Sequence, residues 1–111
     1  METLSIRGVS QPEVVFKALL EECEQILPFF QEFVTMMEDP DFNLENVHQA
    51  HLKLSQSLHR LRGSAGFIGL EKTASLAKAC ETALKGNDPS LHDQLKELSS
   101  DIEALIKEIK V

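Results

Sequence analysis

The 111-residue chain has no tryptophan and no tyrosine, only five glycines, four prolines and two cysteines, and no apolar run near 18 residues. Each shortage removes a class of protein. Without a long apolar run there is no membrane span to expect, and without a basic-then-apolar start there is no signal peptide. Cys23 and Cys80 stand far apart, form no C-x-x-C pair and fall on apolar stripes. They are expected to be two reduced core thiols, which suits a reducing cytoplasm, rather than a redox or metal pair. Basic residues are also in the minority, with 11 Lys and Arg against 18 Asp and Glu and a net charge of −7. Nucleic acids and anionic membranes attract basic surfaces, so neither is an expected partner. A protein or a small molecule remains.

What the chain does have is Leu, Glu, Lys and Ala, a composition that favours helices over sheets, in a length that suits one domain. Residues 1–9 lack sustained periodicity and are expected to be a loose N-terminal arm, with residues 10–111 as the folded domain. Val15, Leu19, Cys23, Ile26, Phe30, Phe33 and Met37 recur at three and four, which predicts one amphipathic helix. Its start is expected near Ser10 or Gln11. The apolar phase survives Pro28, so one helix kinked near 24–28 is preferred over two, and Asp39-Pro40-Asp41 ends it. Leu44, Val47, His51, Leu54, Leu58, Leu61 and Ala65 predict a second helix over about 43–66, with Asn43 as its N-cap and a break at Gly66-Phe67-Ile68-Gly69.

Leu70, Ala74, Ala77, Cys80 and Leu84 mark a third helix that ends at Gly86, and Leu91, Leu95, Leu98, Ile102, Leu105 and Ile109 mark a fourth that starts at Asp88-Pro89. Each stripe needs a facing stripe to bury. The fold class expected is therefore all-α, an antiparallel up-down-up-down four-helix bundle with a short N-terminal extension, monomeric because each stripe is one face wide.

On the second helix, His59 lies roughly 100° from Leu58 and so on the flank of the apolar stripe. Its neighbours there are mostly small: Ser55 a turn before, Arg62 and Gly63 a turn after, Gly66 beyond. A glycine inside a helix costs about 1 kcal/mol relative to alanine, and access to His59 is one reason to keep Gly63. Close approach of another helix is the alternative. From Asn46 to Leu70 there is no Asp or Glu, while Lys53, Arg60 and Arg62 fall within that window. An acid-free window suits a site that holds a phosphoryl group, although scattered cations ordinarily mark a solvated face.

His59 lies ten residues before Gly69 and Glu81 twelve after it, so an antiparallel hairpin brings them to similar heights. A carboxylate there could accept from Nδ1–H and leave the Nε2 lone pair free to attack phosphorus. Otherwise Glu81 is an exposed acid on a helix flank.

At these residues the chain resembles the histidine phosphotransfer (HPt) family. His59-Arg60-Leu61-Arg62-Gly63-Ser64-Ala65, followed by Gly69, is similar to the family signature H-x-[LI]-[KR]-G-[SA]-[SA]-x-x-x-G. The resemblance covers about residues 13–110. It implies that His59 is phosphorylated, that Arg62 helps hold the phosphoryl group, that Gly63 gives access, and that Ser64 and Ala65 are the small pair. Leu76-x-x-x-Cys80-Glu81 resembles a family segment in which some members hydrogen-bond the histidine. Arg at 62 replaces the commoner Lys, and Asp41 to Lys53 is longer than in compact members.

The function implied is that of a phosphorelay carrier, not an enzyme. It would exchange a phosphoryl group with aspartates of response-regulator receiver domains, which supply the Mg²⁺, so no cofactor belongs to this chain. A hybrid sensor histidine kinase is a further expected partner. Leu52, Ser55, Gln56 and Gly66, with His59 and Gly63, form the expected docking flank. Alternatives are the phosphate-accepting domain of a chemotaxis-type histidine kinase and a helical adaptor without phosphoryl chemistry. Glu45-x-x-His48-x-x-His51 has spacing seen in bundle metal sites, but no other carboxylate is seen to converge on it. Those histidines, like His92, are read as ordinary, and no metal is expected.

Overall fold

The computed structural model describes residues 2–111, and Met1, the first residue of the expected arm, lies outside them. Four helices follow one another: α1 (Glu13–Met37), α2 (His48–Ile68), α3 (Glu71–Lys85) and α4 (Leu91–Lys110). Each packs on the next, and α4 returns to α1, which closes an up-down-up-down bundle 50 Å long and 21 Å across. Of the four adjacent pairs, α1 and α2 approach each other closely over the least of their length. Among the described residues, no helix is long and apolar enough to cross a membrane.

The apolar stripes become the core. Leu91, Leu95, Leu98, Ile102, Leu105 and Ile109 of α4 are all buried, and so are Leu54, Leu58, Leu61 and Ala65 of α2. On α1, Phe16, Leu19, Cys23, Phe30 and Phe33 carry the burial, and the helix runs through Pro28 unbroken. Cys23 and Cys80 are free and buried, and burial pushes both thiols up to about 12. They are core packing groups.

Four boundaries differ from expectation. The first helix starts at Glu13 rather than near Ser10 or Gln11, which lie in extended chain. Asn43 caps a separate 3-10 turn, Leu44–Asn46, by accepting from the Glu45 N–H at 3.0 Å, and α2 begins only at His48. A single turn keeps the apolar residues in phase, so periodicity does not separate it from the helix. Gly66 stays helical, and the stop falls at Gly69, which at φ +105° takes the left-handed conformation open to glycine. Asp88 accepts from the Ser90 N–H at 2.9 Å, and α4 starts after this turn at Leu91.

The expected loose arm is the larger correction. Thr3–Ile6 (β1) and Val9–Pro12 (β2) form an antiparallel hairpin closed by Arg7 and Gly8, both with positive φ, as a two-residue turn matched to strand twist requires. Ile6 is buried, and Gln11 donates to the Ile68 carbonyl at the end of α2 at 3.1 Å. Arg7 reaches Asp101, which is 2% exposed, with Nη1 2.9 Å from Oδ1, and Thr73 donates to Asp101 Oδ2 at 2.6 Å. The hairpin is thus fastened to α2, α3 and α4 at the end of the bundle where α2 turns into α3.

Candidate functional site

The site lies midway along α2, where the flank beside the stripe Leu54, Leu58, Leu61, Ala65 leaves His59 in solvent. Its side chain is 70% exposed. Arg62, one turn on, reaches back over the ring: Nη2 is 3.0 Å from His59 Nδ1, and Nε donates to Glu81 Oε1 at 2.6 Å. Glu81 comes from α3 at the height the hairpin register predicts, 11% exposed, with Oε2 3.4 Å from His59 Nδ1. An antiparallel helix pair therefore converts residues 22 apart in sequence into one cluster.

The hydrogen-bond partner of Nδ1 in this arrangement is Arg62, not Glu81. A guanidinium can only donate. The proton of a neutral ring is then placed on Nε2, and Nδ1 accepts. The tautomer with a free Nε2 lone pair requires the reverse, an Nδ1–H donated to Glu81 Oε2, and the carboxylate stands close enough for a small ring rotation to make that bond. Arg62 is thereby released from Nδ1. The structure holds the first arrangement, with Glu81 Oε2 3.4 Å from Nδ1.

The remaining expected residues divide. A Cβ built on Gly63 meets nothing within 4 Å, so this glycine opens on free space rather than on a packed helix. On Gly66 it would touch the Ala74 Cβ at 4.0 Å, ordinary contact with α3. Leu52 and Gln56 are exposed and Ser55 is half-buried along the same flank. Ser64 lies elsewhere: its hydroxyl donates to Glu22 Oε1 on α1 at 3.0 Å, because position 64 is rotated about 140° from His59. Lys53 sits over the Phe29 ring at 4.4 Å, also toward α1.

Among the described residues, no group of three or more His, Cys, Asp or Glu could hold a metal ion. Phe67 was not among the expected site residues. It is off the buried stripe, about 80° round the helix from His59, and 87% exposed; the helical wheel alone would have shown it.

A family model described as the Hpt domain matches residues 14–109. Comparison with curated proteins and with solved structures gave no match.

Proposed function

The chain belongs to the Hpt domain family, and from that membership we propose that His59 is the residue that carries the phosphoryl group. As a family member it is a stoichiometric phosphorelay carrier between histidine and receiver-domain aspartate, without machinery to use ATP. The observation that carries the assignment to His59 is a solvent-facing imidazole whose Nδ1 lies within reach of both a cation and a shielded carboxylate, beside an open glycine. His48, His51 and His92 have no such set.

In the proposed step, Nδ1–H donates to Glu81 and the Nε2 lone pair attacks the phosphorus of a receiver aspartyl phosphate. The N–P bond forms as the P–O bond to the aspartate breaks, and the electron pair leaves as the aspartate carboxylate. The ring then bears positive charge at Nδ1–H, next to Glu81, and the phosphoryl oxygens lie within range of the freed Arg62 guanidinium. The reverse step uses the same groups. The donor and acceptor on this reading are receiver domains, one of them carried by a hybrid sensor histidine kinase, and the chain acts as a monomer whose phosphotransfer unit includes the fastened hairpin together with residues 10–111.

His59→Gln is expected to keep the circular dichroism of the wild type and to take up no acid-labile, base-stable phosphate from phosphoramidate or from a phosphorylated receiver. Labelling of that variant at the wild-type rate would place the carrier histidine elsewhere.

A further inference from the structure

A phosphoryl group carried on Nε2 of a histidine is lost or kept according to the state of the other ring nitrogen. When water or a carboxylate attacks the phosphorus, the P–Nε2 bond breaks and its electron pair goes to Nε2. With Nδ1 protonated, the ring leaves as neutral imidazole. With Nδ1 unprotonated it would have to leave as an imidazolate anion, a far poorer leaving group. Whatever faces Nδ1 therefore sets how readily the group departs.

Here that neighbour is Arg62. Its Nη2 lies 3.0 Å from His59 Nδ1, while its Nε donates to Glu81 Oε1 at 2.6 Å, so the guanidinium is anchored on a shielded acid and presents its outer N–H to the ring. A guanidinium carries only donors and keeps its protons. Nδ1 can accept from it only while unprotonated, since a proton there would set two donors against each other. Nε2 has no protein partner among the described residues, and a phosphoryl group placed on it leaves the Arg62 contact undisturbed. No other charged group contacts the ring among the described residues. α1, the other helix packed on α2, has its Glu22 bound by Ser64, about 140° round from His59, and α4 packs on α1 and α3.

We propose that Arg62 is a positioning residue that sets the lifetime of the phosphohistidine, donating to Nδ1 of the loaded ring and keeping a proton off it until a receiver docks. The inference rests on the carrier reading of His59. After uptake, the loaded ring loses its Nδ1 proton to solvent, and Nδ1 accepts from Arg62; the ring is then neutral and holds its phosphoryl group. A docked receiver brings an aspartate carboxylate, which competes with Nδ1 for the guanidinium. Once Arg62 leaves, Nδ1 takes a proton from solvent and donates to Glu81 Oε2. The aspartate oxygen bonds to phosphorus, the P–Nε2 bond breaks, and the ring leaves neutral. Glu81 thus serves first as the anchor of Arg62 and then as the acceptor of the ring.

The test loads the full chain with phosphoramidate, removes the donor, and follows the fraction of acid-labile phosphate that remains at neutral pH. With histidine nitrogens labelled for NMR, the His59 signals are those missing from His59→Gln. The loaded wild type should show Nδ1 unprotonated. Arg62→Ala should show Nδ1 protonated and should lose its label about tenfold or more faster, with helicity unchanged, even though its uptake from a receiver slows. Glu81→Gln, whose amide oxygen still accepts from Arg62 but attracts an imidazolium less, should lose its label no faster than the wild type. Faster loss in both variants would mean that the site has merely loosened, and the proposal falls. A loaded wild-type ring protonated at Nδ1, or an Arg62→Ala protein that keeps its label as long as the wild type, overturns the proposal and leaves the carrier reading in place. A wild type labelled by neither phosphoramidate nor a phosphorylated receiver overturns both together.

Discussion

Arg7 and Arg62 each lie against a shielded carboxylate, and the two clusters end in opposite ways. At Arg7 the pairs close on themselves: Asp101 also accepts from Thr73, Glu108 takes Arg7 Nη2 at 2.9 Å, and hydrogen bonding to Glu108 is the chief cause that holds the guanidinium above its ordinary value. At Arg62 the chain of contacts runs outward from Glu81 to an imidazole in solvent. One arrangement spends its donors and acceptors on holding elements together. The other leaves a ring nitrogen facing water, and only the second can do chemistry on a partner.

The largest effects should separate the two arginines. Arg7→Ala leaves Asp101 buried with Thr73 and the more distant Lys72, 3.7 Å away, and is expected to cost about 3 kcal/mol, the scale for breaking a buried pair on one side. The melting temperature should fall by on the order of 10 °C, with phosphoryl uptake of the folded protein unchanged. Arg62→Ala, at a partly exposed pair, should cost about 1 kcal/mol or less. It should slow transfer ten- to a hundredfold, the worth of a charge-assisted hydrogen bond of about 1.5–3 kcal/mol. Thermal melts and transfer rates on both variants check this, and equal stability losses would remove the distinction between a fastening and a site.

The sequence made the second cluster legible and the first invisible. His59, Arg62 and Glu81 follow from local periodicity and one hairpin register, both of which survive small errors in helix ends. Arg7 and Asp101 are 94 residues apart, joined by strands of four residues that show no periodicity over a useful window. Their turn, Arg7-Gly8, has an arginine where Asn or Asp would have signalled a hairpin. Among the helices, α4 could be read along its whole stripe because nothing interrupts its period, whereas the start of α2 is hidden by a 3-10 turn in the same phase. Ser64 matches the family signature by position, but its rotation about the helix sends it to Glu22.

A smaller effect sharpens the contrast at Gly63. The space beyond its Cβ position is empty, so Gly63→Ala should raise stability by up to about 1 kcal/mol through helix propensity, with little change in transfer. Gly63→Gln should be no less stable than the wild type and should slow transfer from a phosphorylated receiver severely, while labelling by phosphoramidate falls less. Unchanged receiver transfer in Gly63→Gln would mean that the glycine does not serve access.

The smallest effect belongs to a third cluster, which tests whether distance or exposure sets these energies. His92 Nε2 lies 2.9 Å from Glu38 Oε2, as close as Arg7 lies to Asp101, and Nδ1 lies 3.2 Å from Asp93 Oδ1. Both ring nitrogens face carboxylates, so the doubly protonated ring is favoured, and Glu38 first, then Asp93, raises its pKa above the ordinary 6.5. A raised folded pKa contributes stability that is complete below pH 6.5 and is lost as the pH climbs through the higher folded value. Glu38 and Asp93 are both well solvated, so the contribution should be at most about 1 kcal/mol and should shrink with added salt. His92→Gln should therefore melt slightly below the wild type at pH 6 and together with it at pH 9. A difference as large as that of Arg7→Ala would show that these short contacts act alike wherever they lie, whereas a small one, confined to low pH, would assign the strength of the Arg7 cluster to the burial of Asp101.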